Sequence, residues 1–536
     1  VALAAGAWIR ENAGVYLRNA TAVRDYRVQL RGNRAVILWA VYLALLIGVG
    51  MFTYYGAASQ DRISVVQAQR SLQSLYGAIM VLLGIMIALI APALTATAVV
   101  AERQRKSLDL VFSAPVSPKY YLVGKLISSY RYVWMLLVLS LPVTAACVVL
   151  GGASWSEVLV SYLLMSIHGL IYSTIGLLFS TLARKPMGAI VWSYLTVFCV
   201  YWPLSAALGA MPDAMLMGPR GASINELPFV VCLNPFTIQN SAPTYTVISG
   251  YHVPNWLLTA GVVLLFSKIM LLGAASVLSS YGSAETKSLR IHGLIYASIA
   301  SFGMAVSLGS ALSMVGSFTT SATAGTPSAP SFSPELQFSR AFVLLLSTLA
   351  VVLPFITCYG TDLEKKFWPD GLFDLRRVFM ATPSGGLPYI FALSLSVAGG
   401  MACYRLINAA FVGSIFLEYV FYGIALAFFC WSLGRLTSSL NNGLRYARTL
   451  QLTLIIFVFV LPIPFLYIAD PFGAGSTEFS IWDLYLLRPV FSSNDRSTHA
   501  AVLGIVFLVV GLVVAKWSEA IAKRKYRRAG LSYDGT

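Results

Sequence analysis

Apolar runs long enough to cross a bilayer alternate with short polar or charged breaks along almost the whole chain. A hydrocarbon core needs roughly 20 apolar residues in helical form to span it. Runs of that kind fall at 35–55, 73–100, 128–151, 157–181, 187–210, 255–280, 293–316, 339–359, 387–409, 411–434, 449–469 and 499–516. The pattern predicts an all-α polytopic membrane protein with about twelve transmembrane helices, spans one to twelve in chain order. Residues 19–34 differ from these runs. Val23, Tyr26 and Leu30 recur there at helical spacing, and Arg24, Arg27, Arg31 and Arg34 form a second stripe. The segment reads either as an amphipathic interfacial helix whose arginines reach lipid phosphates, or as an ordinary basic flank of span one.

Composition excludes a soluble fold. Of the residues, 58% are hydrophobic and 11% charged, and a chain with that balance could not cover its surface with polar groups. The cysteines, Cys147, Cys199, Cys232, Cys358, Cys403 and Cys430, are scattered. They show no metal-ligand or disulfide spacing and read as small core residues.

The net charge of +16 follows the membrane rather than a nucleic acid. Arg10, Arg18, Arg24, Arg27, Arg31 and Arg34 precede span one, and Lys516, Lys523, Arg524, Lys525, Arg527 and Arg528 close the chain. Arg103, Arg105, Lys106, Lys119 and Lys125 lie between spans two and three. The opposite side holds only Arg62, Arg70, Arg220, Arg340, Arg405, Arg488 and Arg496. The positive-inside rule then makes the crowded side cytoplasmic, with both termini on it, as expected of a multi-pass plasma- or inner-membrane protein. Anionic lipids are the expected contacts of these charges, and no nucleic-acid partner is implied.

The layout also reads as a duplication. Each half runs span, outer loop, span, long charged loop, then four more spans. The charged loops are 101–127 and 361–386, and both carry Val-Phe shortly before a proline: Val111-Phe112 before Pro115, Val378-Phe379 before Pro383. The predicted units are therefore an N-terminal segment (1–34) and two parallel six-span repeats (35–282 and 283–536).

Within the first charged loop, residues 101–113 are expected to form one short helix. Leu108, Val111 and Phe112 share a face at i, i+3, i+4 spacing. Pro115 ends it, and Ser117-Pro118 supplies the N-cap and first position of the next helix. A short charged-and-apolar helix of this kind either docks in a groove on another protein or is a solvated interfacial loop. The sequence Glu-Arg-Gln-Arg-Lys-Ser-Leu-Asp-Leu-Val-Phe-Ser-Ala-Pro-Val-Ser-Pro from Glu102, followed by Gly124-Lys125-Leu126, closely resembles the loop between spans two and three of ABC-2 type transporter permeases. The helix of 19–34 also looks like that family's amphipathic connecting helix.

The resemblance implies the membrane-spanning permease of an ATP-driven transporter, with export as the expected direction. Its coupling helices would seat in cytosolic ATPase subunits, two per duplicated chain. Glu102, Arg103, Lys106, Leu108, Val111 and Phe112 would make the first contact, and Phe373, Arg376, Arg377 and Phe379 the second. The second loop departs from the pattern at Phe367-Trp368-Pro369. No cofactor is expected in this chain; ATP and Mg would belong to the partner. The sequence agrees on this point independently, because G-x-x-x-x-G-K-[ST] occurs nowhere and Gly124-Lys125 is followed by Leu126.

His168, Lys268 and Glu418 are ionisable residues inside predicted spans and stand as pathway candidates. A secondary active transporter with two six-span halves is the alternative reading, but residues 101–117 lack the Gly–Asp-Arg–Gly frame of such proteins. A polytopic membrane enzyme is the weaker alternative. His168, His252, His292 and His499 fall in separate segments, without metal or nucleophile spacing.

Overall fold

A computed structural model describes residues 22–23, 37, 39–48, 51, 65–113, 116–149, 153–201, 245–248, 251–278, 287–299, 301–302, 386–407, 414–440, 450–451, 453–454 and 497–528. These residues are helical apart from one hairpin and the connections. Six helices among them are long and apolar enough to cross a membrane, and Trp39–Gly48, Pro186–Phe198 and Leu387–Gly400 are shorter apolar helices. The chain is a multi-pass helical membrane protein.

In the first half, α1 (Trp39–Gly48) belongs to span one. Span two is α2 (Val65–Ala96), which breaks at Thr97 and continues as α3 (Ala98–Gln104). A short helix α4 (Ser107–Ser113) follows, then α5 (Pro118–Val149) as span three and α6 (Trp155–Leu182) as span four. Span five is α7 (Pro186–Leu195), which runs into a π-helical turn at Thr196–Tyr201. An antiparallel hairpin, β1 (Tyr245–Ile248) and β2 (Tyr251–Pro254), leads into α8 (Asn255–Leu278), span six. The sequence reading has no hairpin there. Its cue is Ser249-Gly250 between two short runs that each contain tyrosine and valine.

Helix α6 is the hub. It packs against α2, α5, α7 and α8. Lipid offers no hydrophobic drive for helices to associate, so close contact and interhelical hydrogen bonds must hold the bundle. Gly176 provides the contact: a Cβ built there would lie 2.7 Å from the Pro92 carbonyl oxygen of α2. Hydroxyls provide the bonds. Tyr76 donates to Ser161 Oγ at 3.1 Å, Tyr42 to the Leu136 carbonyl at 3.2 Å, and Tyr162 Oη lies 2.7 Å from Ser140 Oγ and 2.9 Å from Thr144 Oγ1. These contacts tie spans one to four together. The start of α6 is set by a capping box: Ser154 Oγ accepts from the Glu157 amide, and the Glu157 carboxylate accepts from the Ser154 amide.

In the second half, residues 287–299 form α9 in the region of span seven. Helix α10 (Gly386–Ile407) is span nine, α11 (Ser414–Leu440) span ten and α12 (Ser497–Arg528) span twelve. Helix α11 packs against α10 and along α12. Gly504 and Gly511, seven residues apart on α12, lie against Phe421 and Phe428 of α11 and let the two backbones approach. Tyr389 of α10 donates to the Arg290 carbonyl of α9 at 2.8 Å. Span eight lies outside the described residues.

Two boundaries differ from expectation. Span three begins as a helix at Pro118, earlier than the apolar run at 128, because Ser117 caps it and Lys119 and Lys125 ride on its first turns. The single helix expected over 101–113 is instead two. Lys106 adopts a left-handed backbone (φ 56°), unusual for a side-chain-bearing residue, and separates α3 from α4. Ser107 Oγ donates to the Glu102 carbonyl at 3.1 Å and so satisfies the end of α3 across the break.

Candidate functional site

The ends of spans two, three and four meet beneath α4, and the residues that begin the charged loop hold them together. At the Thr97 break, the Ser180 hydroxyl of α6 accepts from the amides of Val99 at 2.9 Å and Val100 at 3.2 Å. A helix start needs acceptors for its first amides, and here a neighbouring span supplies one.

Glu102 and Arg103 then diverge. The Glu102 carboxylate turns towards span three, where Oε1 lies 2.6 Å from Lys125 Nζ and Oε2 accepts from the Tyr121 hydroxyl at 2.5 Å. Both charged side chains are nearly enclosed, with 5% of Lys125 and 13% of Glu102 exposed. Arg103 turns towards span four. It donates to the carbonyls of Ala183 and Thr181, each at 2.9 Å. A cation suits the negative end of a helix, so this pairing is favourable beyond its two hydrogen bonds.

Helix α4 rests on this junction through the face expected to dock elsewhere. Leu108 is buried in the core, and Val111 and Phe112 are half-buried against it. The Phe112 ring meets Tyr121 edge-on, with centroids 5.6 Å apart. Leu110 is exposed instead, with 77% of its surface open, and Gln104, Arg105, Lys106 and Ser113 are exposed around it. The helical spacing of Leu108, Val111 and Phe112 is as read, but their shared face points into the bundle.

The remaining candidates are dispersed. His168 is buried in α6. Its Nδ1 lies 2.8 Å from the Leu164 carbonyl, and its Nε2 has no hydrogen-bond partner among the described residues. Lys268 is exposed on the surface of α8, where a long side chain can snorkel, and so does not join His168 in the interior. Glu418 of α11 is partly buried, and its Oε2 has no partner among the described residues. Phe373, Arg376, Arg377 and Phe379 of the second loop, and Arg24, Arg27, Arg31 and Arg34, lie outside the described residues. Among the described residues, no group of three His, Cys, Asp or Glu side chains is placed to hold a metal ion.

Sequence reasoning missed the roles of Tyr121, Lys125 and Ser180. Lys125 was visible within Gly124-Lys125-Leu126, but its partner lies 23 positions earlier. Nothing in a linear pattern pairs the two.

Residues 61–278, spans two to six with the charged loop between two and three, match the family described as ABC-2 family transporter protein. No curated protein matches the chain.

Proposed function

We propose, on the premise that residues 61–278 are the membrane domain of an ABC-2 type transport permease, that the chain is the membrane-spanning subunit of an ATP-driven exporter. The observation that carries this reading is the family match over a bundle whose charged loop forms a separate, outward-lying helix, α4. ATP and Mg sit on separate cytosolic ATPase subunits. Helix α4 is the coupling helix, and its outward Leu110, with Arg105 and Lys106 just before the helix, meets the ATPase. Both termini and α4 are cytoplasmic. Closure of an ATPase pair moves α4, and the move passes into spans two to four through the junction on which α4 rests.

The chain acts as a pseudo-dimer, one six-span repeat for each ATPase. Recurrence of packing supports this. Span three packs on four and four on six in the first half; nine packs on ten and ten on twelve in the second. The pairs recur at an offset of six spans, as a parallel repeat requires.

Purification of the chain from its native membrane tests the reading. A soluble ATPase should co-elute, and its ATP hydrolysis should depend on the chain. Purification without an ATPase, combined with transport driven by an ion gradient, would overturn it.

A further inference from the structure

Four observations converge on one place. The Glu102–Lys125 pair joins spans two and three at 2.6 Å in an enclosed setting. Tyr121 donates its hydroxyl to the same carboxylate, and the Lys125 ammonium lies 5.7 Å from the Tyr121 ring centroid. Phe112 of α4 meets the same Tyr121 ring edge-on. Arg103, next in the chain to Glu102, locks the same turn of span two onto the end of span four.

We propose that Glu102, Lys125 and Tyr121 form a rigid seat for α4, so that the coupling helix and the ends of spans two, three and four move as one body. Glu102 and Lys125 are positioning residues in this scheme. They touch neither cargo nor nucleotide, and they act by fixing the Tyr121 ring that bears Phe112. The proposal rests on the coupling role given to α4 above, but the geometry makes a demand of its own. An enclosed carboxylate and ammonium in contact hold each other in place, because separating them would strand a charge away from water. A tyrosine held by that carboxylate and flanked by that ammonium has little freedom to turn. A helix leaning on such a ring therefore transmits displacement instead of absorbing it.

Spin labels at Ser113→Cys and Trp134→Cys provide the test, since neither position is given a part in docking. Both positions are exposed, one on α4 and one on α5, so the labels report the angle between coupling helix and span three. Distances are measured on the full chain in lipid nanodiscs, alone and then with the ATPase that co-purifies with it, before and after addition of MgATP. The native seat should give one narrow distribution, unchanged by nucleotide, because both labels ride on one body. Glu102→Gln, Lys125→Met and Tyr121→Phe should each widen it at least twofold. In the complex they should let the 113–134 distance shift with MgATP while the ATPase remains bound.

The exchanged pair Glu102→Lys/Lys125→Glu should recover most of the narrow width, a recovery that damage to packing alone would not produce. If a charge variant fails to insert, Tyr121→Phe, which removes one hydroxyl, is the deciding variant. A narrow, nucleotide-independent distribution in the single variants would overturn the proposal. If no ATPase binds the native chain, the coupling reading falls, and the measurements on the chain alone still decide whether the seat exists.

Discussion

Arg103 donates a hydrogen bond to the carbonyl oxygen of Ala183, 2.9 Å away, at the C-terminal cap of span four. A second bond from the same guanidinium reaches Thr181. The bonds tie the second and fourth spans where both leave the apolar zone. Lysine could keep the charge but not the planar fork. Arg103→Ala should therefore lower the thermal midpoint of the detergent-solubilised chain, by a loss on the order of 2 kcal/mol, and Arg103→Lys should fall between the two. Equal midpoints for all three proteins would show that the clamp carries no stability.

Close approach of helices is the second holding force, and Gly176 concentrates it. A Cβ there would lie 2.7 Å from the Pro92 carbonyl oxygen and 3.0 Å from Pro92 Cα, both backbone atoms of α2 that cannot swing aside. Gly176→Ala should cost roughly 1–3 kcal/mol, read by chemical or thermal unfolding in detergent. The second substitution Thr95→Ala should not restore the loss, because the backbone obstruction remains. Gly188 and Gly261 have nothing within 4 Å of the same position. Alanine at either should be neutral, or stabilising by up to about 1 kcal/mol where the site is helical.

How much of this was legible beforehand depends on how local the signal is. Ser117-Pro118 marks a helix start, and the chain starts one there. Ser154 and Glu157 carry the capping-box spacing, a cue that places the first turn of span four a little before its apolar run. The break at Lys106 carries no such cue, since a left-handed lysine follows from the tertiary placement of α4 and from no breaker residue. Helical spacing correctly grouped Leu108, Val111 and Phe112, but periodicity defines a face without saying whether it turns inward or outward. Glu102 and Lys125 each stand out in the sequence, but their contact arises only when spans two and three pack.

The proposed orientation rests on the distribution of arginine and lysine and can be checked with exposed positions at opposite ends of the bundle. Ser113 lies at the end of α4, and Ser156 lies in the first turn of α6. In a variant with the six native cysteines replaced by alanine, Ser156→Cys should react with a membrane-impermeant maleimide in intact cells. Ser113→Cys should react only after permeabilisation. The reverse pattern would invert the whole map, and with it the cytoplasmic placement of α4.

The proposed pairing of two six-span halves leads to a stoichiometry. If each half supplies one coupling loop, a single chain satisfies both members of an ATPase pair. Native mass spectrometry of the complex should give one copy of this chain for two ATPase subunits. Two copies for two would mean that the halves are not functional equivalents. The halves should also differ in strength, since Pro369 and Gly371 in the sequence of the second loop are residues that disfavour a continuous helix. Mutational sensitivity of ATPase binding should be greater in the first loop.

Leu110 and Phe112 separate docking from seating, because they lie two residues apart on one short helix and face different ways. Leu110 is 77% exposed, an unusual place for a large apolar side chain beside Arg105 and Lys106. Phe112 is half-buried on Tyr121 and the core. Leu110→Asp should leave the thermal midpoint of the chain alone unchanged, since no intramolecular packing is lost. It should weaken ATPase association by about tenfold or more, the equivalent of roughly 1.4 kcal/mol. Phe112→Ala should do the opposite in its first effect, lowering the stability of the chain by loss of a packed aromatic, with binding reduced only as far as α4 loses its seat. Charge reversal at Arg105 and Lys106 should weaken association most at low salt and least at high salt, as rim contacts do. Surface plasmon resonance with the purified ATPase, paired with melting curves of each variant, reads both effects. If Phe112→Ala abolishes binding at unchanged stability while Leu110→Asp binds normally, then α4 must turn its apolar face outward to dock, and the seat described here is a resting arrangement that the ATPase opens.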